Sequence, residues 1–225
     1  MIPGARVVIL GRQGAGKGTQ CARLSRHYVV PHVSTGEILR AAVKDGTALG
    51  QEAKRYMDRG ELVPDEVMIG IVDERLCHAD AMRRGYVLDG FPRTAAQAQA
   101  LDGMITERPL DVVVDLEVPR EVVLARLAAR RVCVDCGANY SVAVPPKQNW
   151  TCDFCGGEVI QRDDDTEEAI ARRLDLYDLQ TAPLADYYKS LGIFDVVDGV
   201  GTADEVLARI VVVIDAARER RPVSS

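Results

Sequence analysis

Apolar positions along the chain follow two different periods. Arg6 to Leu10, Tyr86 to Leu88, Val112 to Leu116 and Ile193 to Val197 are short apolar runs, whereas 17–28, 94–106, 119–130 and 167–188 carry helical spacing. The first kind predicts strands and the second helices. Strands that are apolar throughout, rather than alternating, belong to a parallel sheet covered by helices on both faces. Two stretches interrupt the alternation. Residues 35–80 hold several polar helical segments and no convincing strand, while 131–165 is rich in Cys, Gly, Pro and Asp, with strand-like pieces such as Tyr140 to Val144. Each reads as an insertion over the carboxyl edge of the sheet, where open α/β folds bind their ligands.

A length of 225 residues fits one α/β core with appendages, and 47% hydrophobic residues suffice for a buried sheet. Arg218 to Ser225 is charged and aperiodic, so disorder is expected only there. No apolar run reaches membrane-spanning length, and the start of the chain lacks a basic region followed by an apolar one. A cytoplasmic location without membrane attachment is therefore expected. The net charge of −6 argues against a broad nucleic-acid surface, because such surfaces neutralise phosphates with clustered Lys and Arg. Any phosphate chemistry must then rely on local positive charge.

That charge has an obvious place. Gly11-Arg12-Gln13-Gly14-Ala15-Gly16-Lys17-Gly18-Thr19 follows a predicted strand and opens a predicted helix, the context a phosphate-binding loop requires. Glycines permit positive φ and leave N–H groups bare to converge on phosphate oxygens at the positive end of the helix. Lys17 would reach the β- and γ-phosphates. Gly18 stands where Ser or Thr usually ligates Mg²⁺, so the metal would be held by water, phosphates and a carboxylate elsewhere. Asp89, at the end of a second apolar strand and followed by Gly90-Phe91-Pro92-Arg93, can orient it through water. Arg93, Arg40, Arg126, Arg130, Arg162 and Arg173 supply guanidiniums suited to phosphate and to charge developing on a transferring phosphoryl group.

Cys133-x-x-Cys136 and Cys152-x-x-Cys155 are fifteen residues apart and each pair is followed by a glycine, the pattern of a zinc ribbon. Four thiolates close a tetrahedral shell, so the ion expected here is a structural Zn²⁺; two disulfides are the alternative. Cys21 and Cys77 read as core or boundary residues, and His27, His32 and His78 have no metal-ligand spacing.

Taken together, Gly11 to Gln20, Ser34 to Arg40, Asp89 to Arg93 with Gln97, Ala129 to Val132, and Thr181 to Leu184 with Tyr187-Tyr188 resemble the adenylate kinases of the nucleoside monophosphate kinase family, in their long-lid form. The resemblance spans roughly 6–215. It implies a P-loop three-layer α/β fold with a five-stranded parallel sheet, a helical insertion for the monophosphate and a small zinc-ribbon-like β lid. The implied division is a core of 1–33, 64–129 and 167–225, an AMP flap of 34–63 and a lid of 130–166. The implied activity is reversible transfer, ATP plus AMP giving two ADP. On this pattern ATP lies on Gly14, Ala15, Gly16, Lys17, Gly18 and Thr19, with Arg126, Arg130, Asn139 and Tyr140 on its side and Gly201 against the adenine. AMP is held by Thr35, Arg40, Glu61, Leu62, Val63, Gly90, Phe91, Pro92, Arg93 and Gln97, with Arg162 and Arg173 between the nucleotides. Lys17, Asp89, Arg93, Arg130, Arg162 and Arg173 carry the catalytic roles. Arg12-Gln13 stands where a proline is frequent, and Glu37 replaces a frequent Asp. A monomer acting on small nucleotides is expected. Two other readings remain: a different acceptor such as UMP, CMP or GMP, and a nucleotide switch whose ribbon binds nucleic acid. The acidic run Asp163-Asp164-Asp165 and the net charge weigh against the second.

Overall fold

The order of the strands follows from what each must bury. In the computed structural model, which describes residues 4–162 and 165–220, the chain runs β1 (Ala5–Leu10), α1 (Lys17–Tyr28), β2 (His32–Ser34), α2 (Thr35–Lys44), α3 (Ala48–Asp58), α4 (Asp65–Leu76), α5 (Ala79–Arg84), β3 (Gly85–Asp89), α6 (Ala95–Met104) and β4 (Val112–Glu117). It continues with α7 (Arg120–Ala129), β5 (Arg130–Cys133), β6 (Asn139–Ser141), β7 (Val159–Ile160), α8 (Glu167–Leu176), a π-helical turn at Tyr177–Thr181, α9 (Leu184–Ser190), β8 (Phe194–Asp198) and α10 (Ala203–Glu219). Asp163 and Asp164 of the acidic run, and the end of the charged tail, lie outside the described residues.

Five strands form one parallel sheet in the order β2-β3-β1-β4-β8. Successive residues of β1 point to opposite faces. Val7 and Ile9 pack with Leu24, Val114, Leu127, Ile210 and Ile214, while Val8 and Leu10 pack with Met68, Leu88, Leu101, Val113 and Tyr188. Two buried clusters on one sheet make the three layers. Because β1 is central, with β3 on one side and β4 on the other, the chain leaves it where the strand order reverses. That reversal opens a crevice above the carboxyl ends of β1, β3 and β4.

Three local expectations need correction. β2, the edge strand, carries no sequence signal, since three residues, His32–Ser34, are too few to show a period; it pairs with β3 from His32 opposite Val87 to Ser34 opposite Asp89. The predicted helix over 167–188 is broken, for Pro183 has no N–H and its ring clashes with the preceding turn, so α8 ends at Leu176 and a π turn intervenes before α9. Cys77 is exposed at the end of α4 rather than packed, whereas Cys21 is fully buried.

β5, β6 and β7 form a separate three-stranded antiparallel sheet, with β5 central. Its own buried cluster holds Cys133, Cys152 and Val159, with Ala138 and Tyr140 packed against it.

Candidate active site

Five helices, α2, α3, α6, α8 and α10, begin with a Ser or Thr side chain accepting a backbone N–H of the first turn. Helix α1 does not. It begins at Gly16, in the left-handed region (φ 101), with no side-chain cap and no acidic residue in its first turn. Its N–H groups and the positive end of its dipole are thus left for a ligand. Gly14 is required twice over: its φ is 84, and a Cβ there would stand 2.8 Å from Leu127 Cγ of α7. Lys17 folds back over this loop, donating to the carbonyls of Gly11 (2.6 Å) and Arg12 (3.0 Å). Burial lowers the pKa of its ammonium, and Asp89 works against that shift.

The crevice is a cavity of about 770 Å³. Its walls gather Gly14, Gly16, Lys17, Gly18 and Thr19 from the loop, Arg126 and Arg130 from α7 and β5, and Asn139 and Tyr140 from the small sheet. Facing them are Thr35, Arg40, Glu61, Leu62, Val63, Asp89, Gly90, Pro92, Arg93 and Gln97, with Arg162 and Arg173. Three predicted residues do not line it. Ala15 and Phe91 are buried in the core beneath, and Gly201 lies outside the wall.

Charge is distributed unevenly in this space. Burial works against the charge of Asp89, but His32, Lys17 and Arg93 beside it outweigh that penalty and hold its carboxyl below the usual range. Arg93 is half-buried among like charges. Desolvation opposes its guanidinium, Asp89 supports it, and Arg173 and Arg40 are near enough to push against it. It is fixed by its Nε donating to Gly90 O (2.9 Å), its backbone N–H to Gln97 Oε1 (2.8 Å), and its carbonyl accepting from Thr181 (3.0 Å). Such convergence of guanidiniums is what a polyanion compensates.

Other predicted side chains carry structural bonds as well. Arg126 donates to Ala15 O (3.1 Å) and Gly199 O (3.2 Å), tying the glycine loop to the segment after β8. Arg130 grips the fully shielded Asp165 with two nitrogens, Nε at 2.8 Å, and Gln13 Nε2 donates to the same carboxylate at 3.2 Å. Thr35 Oγ1 donates to Gly90 O at 3.0 Å, and Glu61 pairs with Arg59 and Arg172. Gln97 Nε2 donates to Asp65 Oδ1 (2.7 Å), so both ends of that amide are oriented by protein.

Sequence reasoning missed several residues that complete the wall or its support. Tyr177 lines the cavity and its hydroxyl donates to Asp115 (2.9 Å), whose pKa is raised by burial. Asp65 and His32 stand directly behind Gln97 and Asp89. None carries a motif; each is brought in from a distant element.

The four ribbon cysteines converge. Cys133 Sγ lies 3.4 Å from Cys155 Sγ and Cys136 Sγ 3.5 Å from Cys152 Sγ, with all four sulfurs within 4.8 Å of one another. These are free thiols rather than disulfides, and the spacing suits four donors around one thiophilic ion. Burial opposes a thiolate at Cys152, yet the Tyr140 hydroxyl (3.4 Å) and the Phe154 N–H (3.5 Å) donate to its sulfur, and its pKa is pulled down to about 6. The cluster can therefore hold a metal ion. Among the described residues no helix is long and apolar enough to cross a membrane.

The family model for adenylate kinase matches residues 9–193. The adenylate kinase of Thermodesulfovibrio yellowstonii is 52% identical over 213 residues, covering 93% of this chain and 99% of the relative. That of Syntrophobacter fumaroxidans is 51% identical over 92% of this chain and 99% of the relative, and that of Methanosarcina acetivorans 52% identical over 89% and 94%. Matches of this extent run through the glycine loop, the Asp89 to Arg93 turn and the cysteine pairs alike, and the chain belongs to the adenylate kinase family.

Proposed function

We propose that the chain catalyses reversible phosphoryl transfer between ATP and AMP, yielding two ADP. The observation that carries this reading is the pairing, across one cavity, of an uncapped helix start with a half-buried convergence of Arg93, Arg40 and Arg173. One end suits a triphosphate and the other a second phosphate.

ATP occupies the side made by Gly14 to Thr19, Arg126, Arg130, Asn139 and Tyr140; AMP occupies the side made by Thr35, Arg40, Glu61 to Val63, Gly90 to Arg93 and Gln97. The AMP phosphate is itself the nucleophile and is ionised at neutral pH, so no general base is needed. Lys17, Arg93, Arg130, Arg162 and Arg173 hold the two polyanions end to end and stabilise charge spreading over the transferring group. For Lys17 this means exchanging its two carbonyl acceptors, and for Arg130 its carboxylate, for phosphate oxygens. Mg²⁺ bound with ATP would neutralise phosphate charge, and Asp89, below its usual pKa and at the cavity wall, fits the role of orienting it through water.

Water competes with AMP as acceptor, so exclusion of solvent is part of the task. We assign that task to residues 34–63 as a flap and 130–166 as a lid moving over a core of 1–33, 64–129 and 167–225. The metal in the lid is Zn²⁺, which four thiolates select and which leaves no open position for chemistry. We read the protein as a cytoplasmic monomer acting on free nucleotides rather than on nucleic acid. A coupled ADP-formation assay with AMP, UMP, CMP and GMP in turn tests the reading. AMP should be preferred strongly; comparable rates with another monophosphate would overturn the acceptor, and saturation by a single nucleotide would overturn the reaction.

A further inference from the structure

We propose that Cys21, His32 and Asp89 form a second site for a thiophilic divalent cation, distinct from the four-cysteine cluster, and that its occupation shuts the enzyme down. The three residues come from three elements, α1, β2 and β3, with Asp89 distant in sequence from the other two, and meet because β2 and β3 are paired beside the first turns of α1. One donor atom from each lies within 4.8 Å of the other two. His32 Nε2 and Asp89 Oδ2 are 3.5 Å apart. A tetrahedral zinc with ordinary bond lengths separates nitrogen and oxygen donors by about 3.4 Å and sulfur and nitrogen by about 3.6 Å. The nitrogen and oxygen donors already stand at that separation, and the sulfur, within 4.8 Å of both, closes on an ion by a shift of the Cys21 side chain.

Two further observations point to a ligand. His32 Nε2 is shielded from solvent and its facing group is Asp89 Oδ2 at 3.5 Å, the outer limit of a hydrogen bond, so this buried nitrogen is held weakly and a cation can replace the contact. Cys21 is wholly buried, yet its neighbours include the charged Asp89 and Lys17 as well as apolar side chains. Access comes from the cavity: Asp89 and Gly18 line it, and a Cβ on Gly18 would be 3.6 Å from Asp89 Oδ2.

Binding forms metal–sulfur, metal–nitrogen and metal–oxygen bonds. The Cys21 thiol proton leaves to solvent, neutral His32 uses the lone pair on Nε2 with its proton on Nδ1, and no group changes oxidation state. Thiolate and carboxylate together balance a dication, and the fourth position faces the cavity. The inhibitory consequence rests on the role proposed above for Asp89, since an ion that captures this carboxylate takes it from Mg²⁺.

The experiment separates binding from turnover. Protein already carrying one zinc per chain is equilibrated with buffered free Zn²⁺, without nucleotide, and metal per chain is counted for wild type, Cys21→Ala and His32→Asn. Wild type should take up a second equivalent that neither variant holds, and Cys21→Ala should keep its basal activity while needing at least about tenfold more free Zn²⁺ for half inhibition. His32→Asn removes a ligand outside the apolar core, so the result does not depend on Cys21→Ala folding well. No second equivalent, or one of equal affinity in all three proteins, overturns the site. A second equivalent that leaves turnover intact overturns the inhibition and, with it, the role of Asp89, while ADP formation itself stands.

Discussion

The parallel sheet and the cysteine segment achieve order by opposite means. β1, β3 and β4 are sealed between two large clusters of mainly aliphatic side chains, whereas the cysteine segment gathers a small buried cluster of Cys133, Cys152 and Val159 and leaves Phe154, Val144 and Val142 exposed. A core of the first kind is rigid because every apolar residue is held by many neighbours. One of the second kind has too little apolar area to offset its chain entropy and depends on a metal. The labour is divided: Asp89 ends a strand of the sheet and Lys17 and Arg93 lie just beyond the ends of β1 and β3, whereas the cysteine segment offers four thiols that can take a metal as a local staple.

The largest effect expected is the most direct attack on that contrast. Stripping the metal with a chelator should unfold 130–166, worth about 10 kcal/mol or more of apparent binding energy, yet leave the sheet intact. Hydrogen exchange should rise in the cysteine segment alone; equal loss of protection in β1 and β4 would abolish the distinction. Leu127→Ala does the reverse. It empties space beneath Gly14 and should cost about 2–5 kcal/mol in urea unfolding while the metal stays bound.

Arg93→Ala tests whether the sheet carries the chemistry. Phosphoryl transfer should fall by about 10²–10³-fold with little change in the circular dichroism spectrum. Turnover within a few-fold of wild type would remove Arg93 from the mechanism.

Smaller again is the effect of Tyr140→Phe, which deletes a donor to Cys152 and should weaken metal binding by about 10–100-fold. Its pH dependence has a definite sign. A thiol with a pKa lowered from 9.0 to about 6 contributes in full above its ordinary value and loses that contribution as pH falls through about 6. Metal release on acidification should therefore begin at higher pH in Tyr140→Phe than in wild type, as followed by a chromogenic chelator. The smallest effect belongs to Phe154→Ala: its ring is 81% exposed, so stability should change by no more than about 0.5 kcal/mol.

What the amino-acid order determined alone is what is written contiguously. The glycine loop, the turn from Asp89 to Arg93, the two Cys-x-x-Cys pairs and the apolar strands each carry their physics within about ten residues, where backbone geometry and side-chain period are local properties. The three-residue strand β2 was too short to announce itself, and the break before Pro183 set Tyr177 against Asp115 in a way helical spacing concealed. Only the tertiary structure decided that Arg40, Arg93 and Arg173 crowd together, that Asp165 holds Arg130 and Gln13, that Asp65 orients Gln97, and that Cys21, His32 and Asp89 meet. Those meetings depend on the strand order β2-β3-β1-β4-β8, which brings residues tens of positions apart to one edge of the sheet. Long-range proximity of this kind is set by which faces must be buried together, and no window along the chain contains it.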